Sequence, residues 1–63
     1  MKVSELKKIL KKLRCIPVRN GGSHDIWYSP ITNRIFPVPR HNAQEVATGT
    51  LQSILRDAGI NKR

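Results

Sequence analysis

The chain has few of the residues that small proteins use for cross-links or metal sites. Its 63 residues include one cysteine, Cys15, so no internal disulfide can form, whereas a secreted domain of this length usually carries several. The two histidines and the cysteine form no cluster with metal-ligand spacing, so we expect neither a metal site nor a cofactor. We therefore expect a cytoplasmic protein in a reducing compartment.

Long apolar runs and aromatic residues are also scarce. The longest apolar run is far too short to span a membrane, and the basic N-terminus lacks the apolar segment of a signal peptide. We therefore expect no membrane-spanning segment. Apolar residues make up 38% of the chain, with one Trp, one Tyr and one Phe, which is low but sufficient for a small core. We expect a single domain over residues 1–63.

Acidic residues are few, so the charge is strongly of one sign. Twelve Lys and Arg residues against four Asp and Glu residues give a net charge of +8. This charge density predicts a polyanionic partner, which could be RNA or another nucleic acid, an acidic protein or an anionic membrane. No two of the four carboxylates are clustered in the sequence to hold Mg²⁺, so we expect any chemistry at phosphate to need no metal.

Hydrophobic periodicity and turn residues predict five elements in the order α-β-β-β-α. The first and last have apolar residues at spacings of three and four, whereas the middle three alternate and are separated by turn signals such as Asn20-Gly21-Gly22. The predicted helices cover residues 1–14 and 50–58, and the predicted strands cover residues 15–19, 23–29 and 34–39.

The predicted helix ends carry residues that usually cap helices. We expect Ser4 to cap the first helix and either Thr48 or Thr50 to cap the second. Gly59 is expected directly after the second helix, where a left-handed backbone favours glycine. Cys15, between the first helix and the first strand, is expected to be a small buried hydrophobic residue.

Two prolines predict the order of the strands. Pro17 lies in the first strand and Pro37 in the third, and proline cannot donate to a sheet ladder, so both strands belong at edges of an antiparallel meander. Both amphipathic helices then cover one sheet face and leave the other open, which gives an α+β fold. Strand alternation places Trp27 and Tyr28 on opposite faces, but it does not indicate which of them enters the core.

His24 is the residue best suited to chemistry. It follows Gly21-Gly22-Ser23, where a glycine turn lets backbone N–H groups approach a phosphate and Ser23 adds a hydroxyl. An imidazole there could exchange protons with a ribose 2′-OH or a departing 5′-oxygen during RNA transesterification. The alternative is a histidine at a strand edge without a catalytic role. Asp25 is expected on the opposite face from His24 and therefore cannot orient its ring.

Four further side chains are candidates for contact with RNA. Arg19, Arg34 and Arg40 carry planar guanidinium groups, which match phosphate oxygens, although they could equally serve only to keep the chain soluble. His41 is either a second proton-transfer group or RNA contact, or a loop histidine that hydrogen-bonds its own turn.

Three blocks of sequence carry a family resemblance. They are Gly22-Ser23-His24, then Val38-Pro39-Arg40-His41, and then the stretch GTLQSILRDAGI that ends at Ile60. In this order they resemble the HicA toxins, which are small mRNA interferases of bacterial toxin–antitoxin pairs. The resemblance covers nearly the whole chain, and its third block is the most specific.

The resemblance implies a fold similar to a double-stranded RNA-binding domain and an endoribonuclease that cleaves mRNA and blocks translation and growth. It makes His24 the catalytic residue. Gly22 and Ser23, directly before it, are candidates for RNA contact because of the glycine turn and the hydroxyl. The implied partner is a HicB antitoxin with an acidic face, which suits a charge of +8. The chain departs from the family at Gly21, where members often carry Lys or Gln, and at Pro37 in the third strand; neither departure removes the histidine.

Two other functions stay open at this point. A non-catalytic RNA-binding module of the same fold would have the same length, charge and topology, although such domains more often begin the second helix with a lysine run than with Thr48, Gly49 and Thr50. A membrane-active cationic helix is the third possibility, and it is disfavoured because the apolar face of the first helix has neither Trp nor Phe.

Overall fold

The computed structural model describes residues 1–60, which form two helices and one antiparallel sheet. This confirms the predicted α+β class and the α-β-β-β-α order. Residues 61–63, which belong to the expected domain, lie outside the described part. The elements are α1 (Val3–Lys12), β1 (Ile16–Asn20), β2 (His24–Ser29), β3 (Arg34–Pro39) and α2 (Thr48–Ala58).

The prediction for the start of α1 is wrong. Ser4 lies inside the helix, and Lys2 is the N-cap residue. The first N–H groups of the helix donate to backbone carbonyls from the segment between β3 and α2: Val3 to Gln44 at 2.9 Å, and Ser4 to Asn42 at 3.1 Å. A helix start that is capped by a distant backbone segment needs no capping side chain, so local sequence preference could not locate it.

The start of α2 also differs from the prediction, whereas its end agrees. Ala47 is the N-cap residue, so Thr48 and Thr50 both lie within the first turn and neither caps the helix. Gly59 ends the helix with a left-handed φ of 109°. A Cβ atom at this position would lie 2.7 Å from the side chain of Ile31, so both backbone conformation and close packing require glycine there.

The strands form a sheet in the order β1-β2-β3, which places β2 in the middle. Pro17 and Pro37 therefore lie on edge strands, as predicted. Pro17 pairs with Trp27 and Pro37 pairs with Ile26. The register of β1 shifts between Pro17 and Arg19, which marks a bulge in that edge strand.

Both helices pack on one face of the sheet. Trp27 and Phe36 are directly opposite each other on β2 and β3, and both are buried. Trp27 thus belongs to the core, and Tyr28 lies on the other, open face. Cys15 is buried, as predicted. The buried core consists of Val3, Leu6, Leu10, Cys15, Trp27, Phe36, Val38, Val46, Ile54 and Ala58.

Candidate active site

His24 is the first residue of β2 and is exposed. Residues 24, 26 and 28 of this strand share the open face of the sheet, because alternate side chains of a strand point the same way. The Nδ1 atom of His24 lies 3.0 Å from the Oγ atom of Ser23. This hydrogen bond orients the imidazole ring, and within residues 1–60 the Nε2 atom has no hydrogen-bond partner. The ring can therefore present Nε2 to a ligand on the open face.

The loop before His24 is a tight hairpin connection. The Gly21 N–H donates to the carbonyl of His24 at 2.8 Å. A Cβ atom on Gly21 would lie 2.6 Å from that carbonyl oxygen, whereas one on Gly22 would meet nothing within 4 Å. Gly21 is thus required by the close approach of two backbone segments, and a Lys or Gln side chain at this position would need a different loop path. Gly22 leaves open space above the loop.

Arg40 supports this loop. Its Nη1 atom donates to the carbonyls of Gly22 at 2.9 Å and Gly21 at 3.2 Å. Its Nε atom lies 3.3 Å from the Oδ1 atom of Asp25, which makes an ion pair. That oxygen is buried and accepts no aligned hydrogen bond within residues 1–60, so the charge of Arg40 is what compensates it. The guanidinium that was predicted to contact phosphate therefore has three partners inside the protein.

Asp25 lies on the helix-covered face, opposite Val38 in β3, as strand alternation predicts. It therefore does not orient His24. Its side chain, 18% exposed, acts instead on the loop, because it fixes the guanidinium of Arg40 that holds the two glycine carbonyls.

Lys7 of α1 is a contributor that sequence reasoning missed. Its Nζ atom donates to the carbonyl of Arg40 at 3.3 Å and to the Oδ1 atom of Asn42 at 3.0 Å. Both acceptors are more than thirty positions away in sequence, so no local pattern distinguishes Lys7 from the other lysines of α1. It ties the first helix to the segment that carries the supporting arginine.

Arg19 is brought to the same face as His24. It pairs with Ile26, which is the next residue of β2 on the open face after His24. Its side chain is exposed. Arg19 is thus the predicted cation that the sheet places beside the histidine.

Arg34 is placed far from the histidine. It pairs with Ser29 at the other end of β2, and its Nη1 atom lies 3.9 Å from the Oδ1 atom of Asp57 in α2. The sheet therefore separates it from His24 by the whole length of β2 and directs it to the helix-covered face.

His41 lies just past the end of β3, whose last residue, Pro39, pairs with His24. It is exposed, and its carbonyl accepts a hydrogen bond from the Gln44 N–H at 3.0 Å. The backbone of His41 therefore closes a turn at the same end of the sheet as His24.

Two general properties complete the description of residues 1–60. They contain no group of three or more His, Cys, Asp or Glu side chains that could hold a metal ion. None of their helices is both long and apolar enough to cross a membrane.

The fold and the site together define a small basic α+β protein with a histidine exposed on a glycine hairpin. The family model described as "HicA toxin of bacterial toxin-antitoxin" matches residues 3–60. Because the match covers nearly all of the 63 residues, the chain belongs to the HicA toxin family, and a toxin of such a system implies an antitoxin partner. No curated protein and no solved structure matches the chain significantly.

Proposed function

We propose that this toxin is a metal-independent endoribonuclease that cleaves mRNA and so blocks translation, with His24 as the proton-transfer residue. The observation that carries the proposal is the exposed imidazole whose Nδ1 atom is held by Ser23, which leaves Nε2 without a hydrogen-bond partner within residues 1–60. Histidine is the side chain whose ordinary pKa suits proton transfer near neutral pH.

The reaction is transesterification within the RNA chain. The ribose 2′-oxygen forms a bond to the adjacent phosphorus while the bond from phosphorus to the 5′-oxygen breaks. A general base accepts the 2′-hydroxyl proton, and a general acid gives a proton to the departing oxygen. The products are a 2′,3′-cyclic phosphate and a free 5′-hydroxyl. His24 takes one of these two roles, and His41, at the same end of the sheet, is the candidate for the other.

Arg19, Gly22 and Ser23 are the residues we assign to RNA contact near the cleaved bond. Arg19 lies on the open face beside the histidine, where its charge can stabilise the phosphorane that forms during the reaction. The open space above Gly22 admits a phosphate to the loop backbone. The hydroxyl of Ser23 is already held at the imidazole and can also donate to a phosphate oxygen.

Arg40 and Arg34 receive different roles. Arg40 is a positioning residue, because its guanidinium holds the loop carbonyls; any RNA contact that it makes is secondary. Arg34 of β3 pairs with Ser29, which is five residues along β2 from His24, or roughly 17 Å at the usual rise of a strand. If it contacts RNA, it contacts a nucleotide well away from the cleaved bond.

The setting we propose is the cytoplasm, where mRNA is the substrate and a HicB-type antitoxin is the partner. The net charge of +8 supports both assignments, because RNA and an acidic protein surface are each attracted to such a chain.

The experiment is a cleavage assay on 5′-labelled single-stranded RNA in EDTA. We expect the wild type to cleave and to leave 2′,3′-cyclic phosphate ends, and a 2′-deoxy substitution at the cleaved position to stop the reaction. We expect His24→Ala to lower the rate by about 100-fold or more, which is the usual size of a proton-transfer contribution.

His41→Ala tests the second proton-transfer role in the same assay, because it removes the other exposed histidine at this end of the sheet. A rate loss similar to that of His24→Ala would support the role, and a wild-type rate would refute it. Equal rates for His24→Ala and the wild type would refute the catalytic role. Cleavage that disappears in EDTA would refute metal independence.

A non-catalytic RNA-binding module remains the alternative, and one observation favours it. Within residues 1–60 no carboxylate forms an ion pair with His24, and the neighbouring Asp25 is engaged by Arg40 on the other face. A binding module would retain RNA without producing new ends, and its affinity would fall with salt at a logarithmic slope of about −0.7 per neutralised phosphate.

A further inference from the structure

The turn that follows β3 carries His41 and has no apolar anchor of its own. Every residue from 40 to 45 is exposed, so no side chain is buried between Pro39 and Val46. We refer to residues 40–44 as the His41 turn. A segment without buried apolar contacts is easily displaced, so the position of this turn depends on polar contacts with the rest of the chain.

Lys7 of α1 supplies two of these contacts. Its Nζ atom donates to the carbonyl of Arg40 at 3.3 Å and to the Oδ1 atom of Asn42 at 3.0 Å. The two acceptors belong to the residues directly before and directly after His41. The Ser4 N–H also donates to the carbonyl of Asn42, at 3.1 Å, so the backbone of α1 contacts the same turn. One ammonium group thus holds the chain on both sides of the histidine.

Lys7 differs in burial from the other lysines of α1. It is half-buried, whereas the other three are exposed: Lys8, Lys11 and Lys12. An ammonium group has three N–H donors, and two of those of Lys7 are used by acceptors within the protein. A charged donor makes a stronger hydrogen bond than a neutral one. The charge of Lys7 is therefore directed at the His41 turn.

We propose that Lys7 is a positioning residue for RNA cleavage, which holds the backbone of His41 so that the imidazole of His41 acts as the partner of His24 in proton transfer. This inference rests on the proposed ribonuclease function. In that reaction one imidazole accepts the proton of the 2′-hydroxyl, and the other donates a proton to the departing 5′-oxygen. The two transfers take place on opposite sides of the phosphorus, so the two rings need a fixed separation.

The sheet alone fixes only one of the two histidines. His24 belongs to β2 and pairs with Pro39, whereas His41 lies two residues past that pair, outside β3. The contacts of α1 with the His41 turn therefore supply what strand pairing supplies for His24. Lys7 touches neither the RNA nor the reacting atoms in this account, and it acts through the backbone of the turn.

A second route leads from Lys7 to the other histidine. Arg40, whose carbonyl accepts from Lys7, also holds the carbonyls of Gly21 and Gly22 with its guanidinium. That guanidinium is fixed separately, because its Nε atom lies 3.3 Å from the carboxylate of Asp25. Since the side chain of Arg40 has its own anchor, we expect the loss of Lys7 to displace His41 much more than the glycine loop.

The test compares Lys7→Met with Lys8→Met in the RNA cleavage assay. Both variants keep an unbranched side chain and remove one positive charge, so both should raise KM for RNA alike, by about 2-fold or less. Lys7→Met alone removes contacts to the His41 turn, and we expect it to lower kcat by about 10-fold, because a reacting group is misplaced. Lys8→Met should keep kcat within about 2-fold of the wild-type value.

Lys7→Arg is the conservative variant. A guanidinium group keeps the charge and has enough N–H donors for both acceptors, so we expect it to restore at least part of kcat. Circular dichroism of each variant confirms that it is folded. An unchanged kcat for folded Lys7→Met overturns the proposal. A change in KM alone would make Lys7 an RNA contact and would overturn it too.

A double-mutant cycle identifies the residue through which Lys7 acts. If Lys7 acts through His41, Lys7→Met should lower kcat by less than about 2-fold in a chain that already carries His41→Ala. Losses that multiply would show that Lys7 acts elsewhere, as through the glycine loop, and would overturn the proposal. A wild-type rate for His41→Ala alone would also overturn it, while leaving the role of His24 intact.

An NMR measurement without RNA provides the second readout. The heteronuclear ¹⁵N NOE of the backbone amides of His41 and Asn42 reports their mobility on the picosecond-to-nanosecond timescale. We expect lower NOE values there in Lys7→Met and wild-type values in Lys8→Met; unchanged values in Lys7→Met overturn the proposal. If the wild type cleaves no RNA, the ribonuclease proposal fails and the catalytic role of Lys7 fails with it. If the wild type cleaves and Lys7→Met matches it, only the proposal for Lys7 fails.

Discussion

Alternate residues of β2 face two different environments. One set of side chains points toward the helices and is mostly buried: Asp25, Trp27 and Ser29. Asp25 pairs with Arg40, Trp27 packs in the core, and Ser29 donates a hydrogen bond to α2. His24 and Tyr28 point toward the open face, where their contacts are with near neighbours in sequence. The two faces of this central strand therefore have different roles. Side chains on one face stabilise the fold, and side chains on the other remain exposed to ligands.

Ser29 illustrates the covered face. It is fully buried, its hydroxyl donates to the carbonyl of Ala58 at 2.7 Å, and it accepts the Ile31 N–H at 3.2 Å. One small side chain thus connects β2, the following turn and the end of α2. Ser23 at the other end of the strand has a hydroxyl too, but it is exposed and serves only the imidazole next to it.

The largest expected effect is on stability, from the covered face. Trp27→Ala should lower the free energy of unfolding by about 3–5 kcal/mol, which is the usual cost of removing a buried aromatic side chain. A chain this small has little reserve, so we expect the variant to be largely unfolded. Urea denaturation followed by far-UV circular dichroism measures the loss.

Two controls sharpen that prediction. Ile26→Ala, the next residue on the open face, should cost less than about 1 kcal/mol, because partial exposure leaves little area to lose. Trp27→Phe should cost much less than Trp27→Ala, because it keeps an aromatic ring in the core. The indole N–H that it removes is buried and has no hydrogen-bond partner within residues 1–60, so its loss breaks no hydrogen bond. Similar losses for Ile26→Ala and Trp27→Ala would contradict the division between the faces.

Arg40 lies between the two faces, so its removal should affect both. Arg40→Ala leaves the buried oxygen of Asp25 without its cation and frees two loop carbonyls, at an expected cost of about 1–3 kcal/mol. RNA cleavage should fall by about 10-fold or more at temperatures where the variant is still folded, because the loop no longer holds His24 in place.

Arg34→Ala is the control for Arg40→Ala. It removes an exposed arginine whose ion pair with Asp57 spans 3.9 Å, and such pairs contribute about 0–1 kcal/mol. Unfolding measurements and cleavage rates should both separate the two variants. Arg40→Lys should recover part of the stability but less of the activity, since an ammonium group cannot reach both carbonyls and the carboxylate at once. Identical behaviour of the alanine variants would argue against the positioning role.

A smaller effect distinguishes the two serines of this strand. Ser29→Ala should cost about 1–2 kcal/mol, because the carbonyl of Ala58 loses its donor in a buried place. Ser23→Ala should leave the free energy of unfolding unchanged within about 0.5 kcal/mol and should lower the cleavage rate several-fold. Thermal melts measure the stability of both variants, and the RNA assay measures their cleavage rates. If Ser23→Ala lost as much stability as Ser29→Ala, the exposed serine would contribute as much to folding as the buried one, which contradicts the comparison.

The smallest effect concerns pH. Burial raises the pKa of the Cys15 thiol above its ordinary value of 9.0, and a hydrogen bond with Ser29 opposes part of this rise. Folding therefore favours the neutral thiol, so its contribution to stability is present below pH 9.0 and is lost as the pH rises through the raised pKa. The wild type should lose more stability than Cys15→Ala between pH 8 and about pH 10.5. Parallel pH dependence in urea denaturation would contradict this.

Sequence reasoning was most successful where a residue's surroundings follow from periodicity. The apolar stripes gave both helices, the two prolines gave the edge strands, and alternation separated Asp25 from His24. It could not choose between Trp27 and Tyr28, because polar residues flank the buried tryptophan on its own face of β2. The structure decides the choice, because Trp27 and its partner Phe36 are both buried, whereas Tyr28 pairs with the exposed Ile16 and Ile35.

Long-range polar contacts were beyond the reach of the sequence. The N-terminus of α1 is capped by carbonyls some forty residues away, so the expected Ser4 cap was wrong. The guanidinium of Arg40 turns back to Asp25 and the glycine carbonyls, although nothing local distinguishes it from Arg19. The partners of long side chains depend on the register of the strands, which the local sequence does not specify. Arg19 is therefore exposed on the open face, whereas Arg34 pairs with Asp57 and Arg40 with Asp25.

The most direct measurement of the central claim is imidazole rescue of His24→Ala on a defined RNA. If the His24 side chain transfers a proton, the variant alone should cleave about 100-fold or more slowly than the wild type, and added imidazole should restore cleavage in proportion to its concentration. Arg19→Ala should gain nothing from imidazole, because it lacks a charge rather than a proton carrier. Cleavage by His24→Ala at the wild-type rate without imidazole would contradict the account.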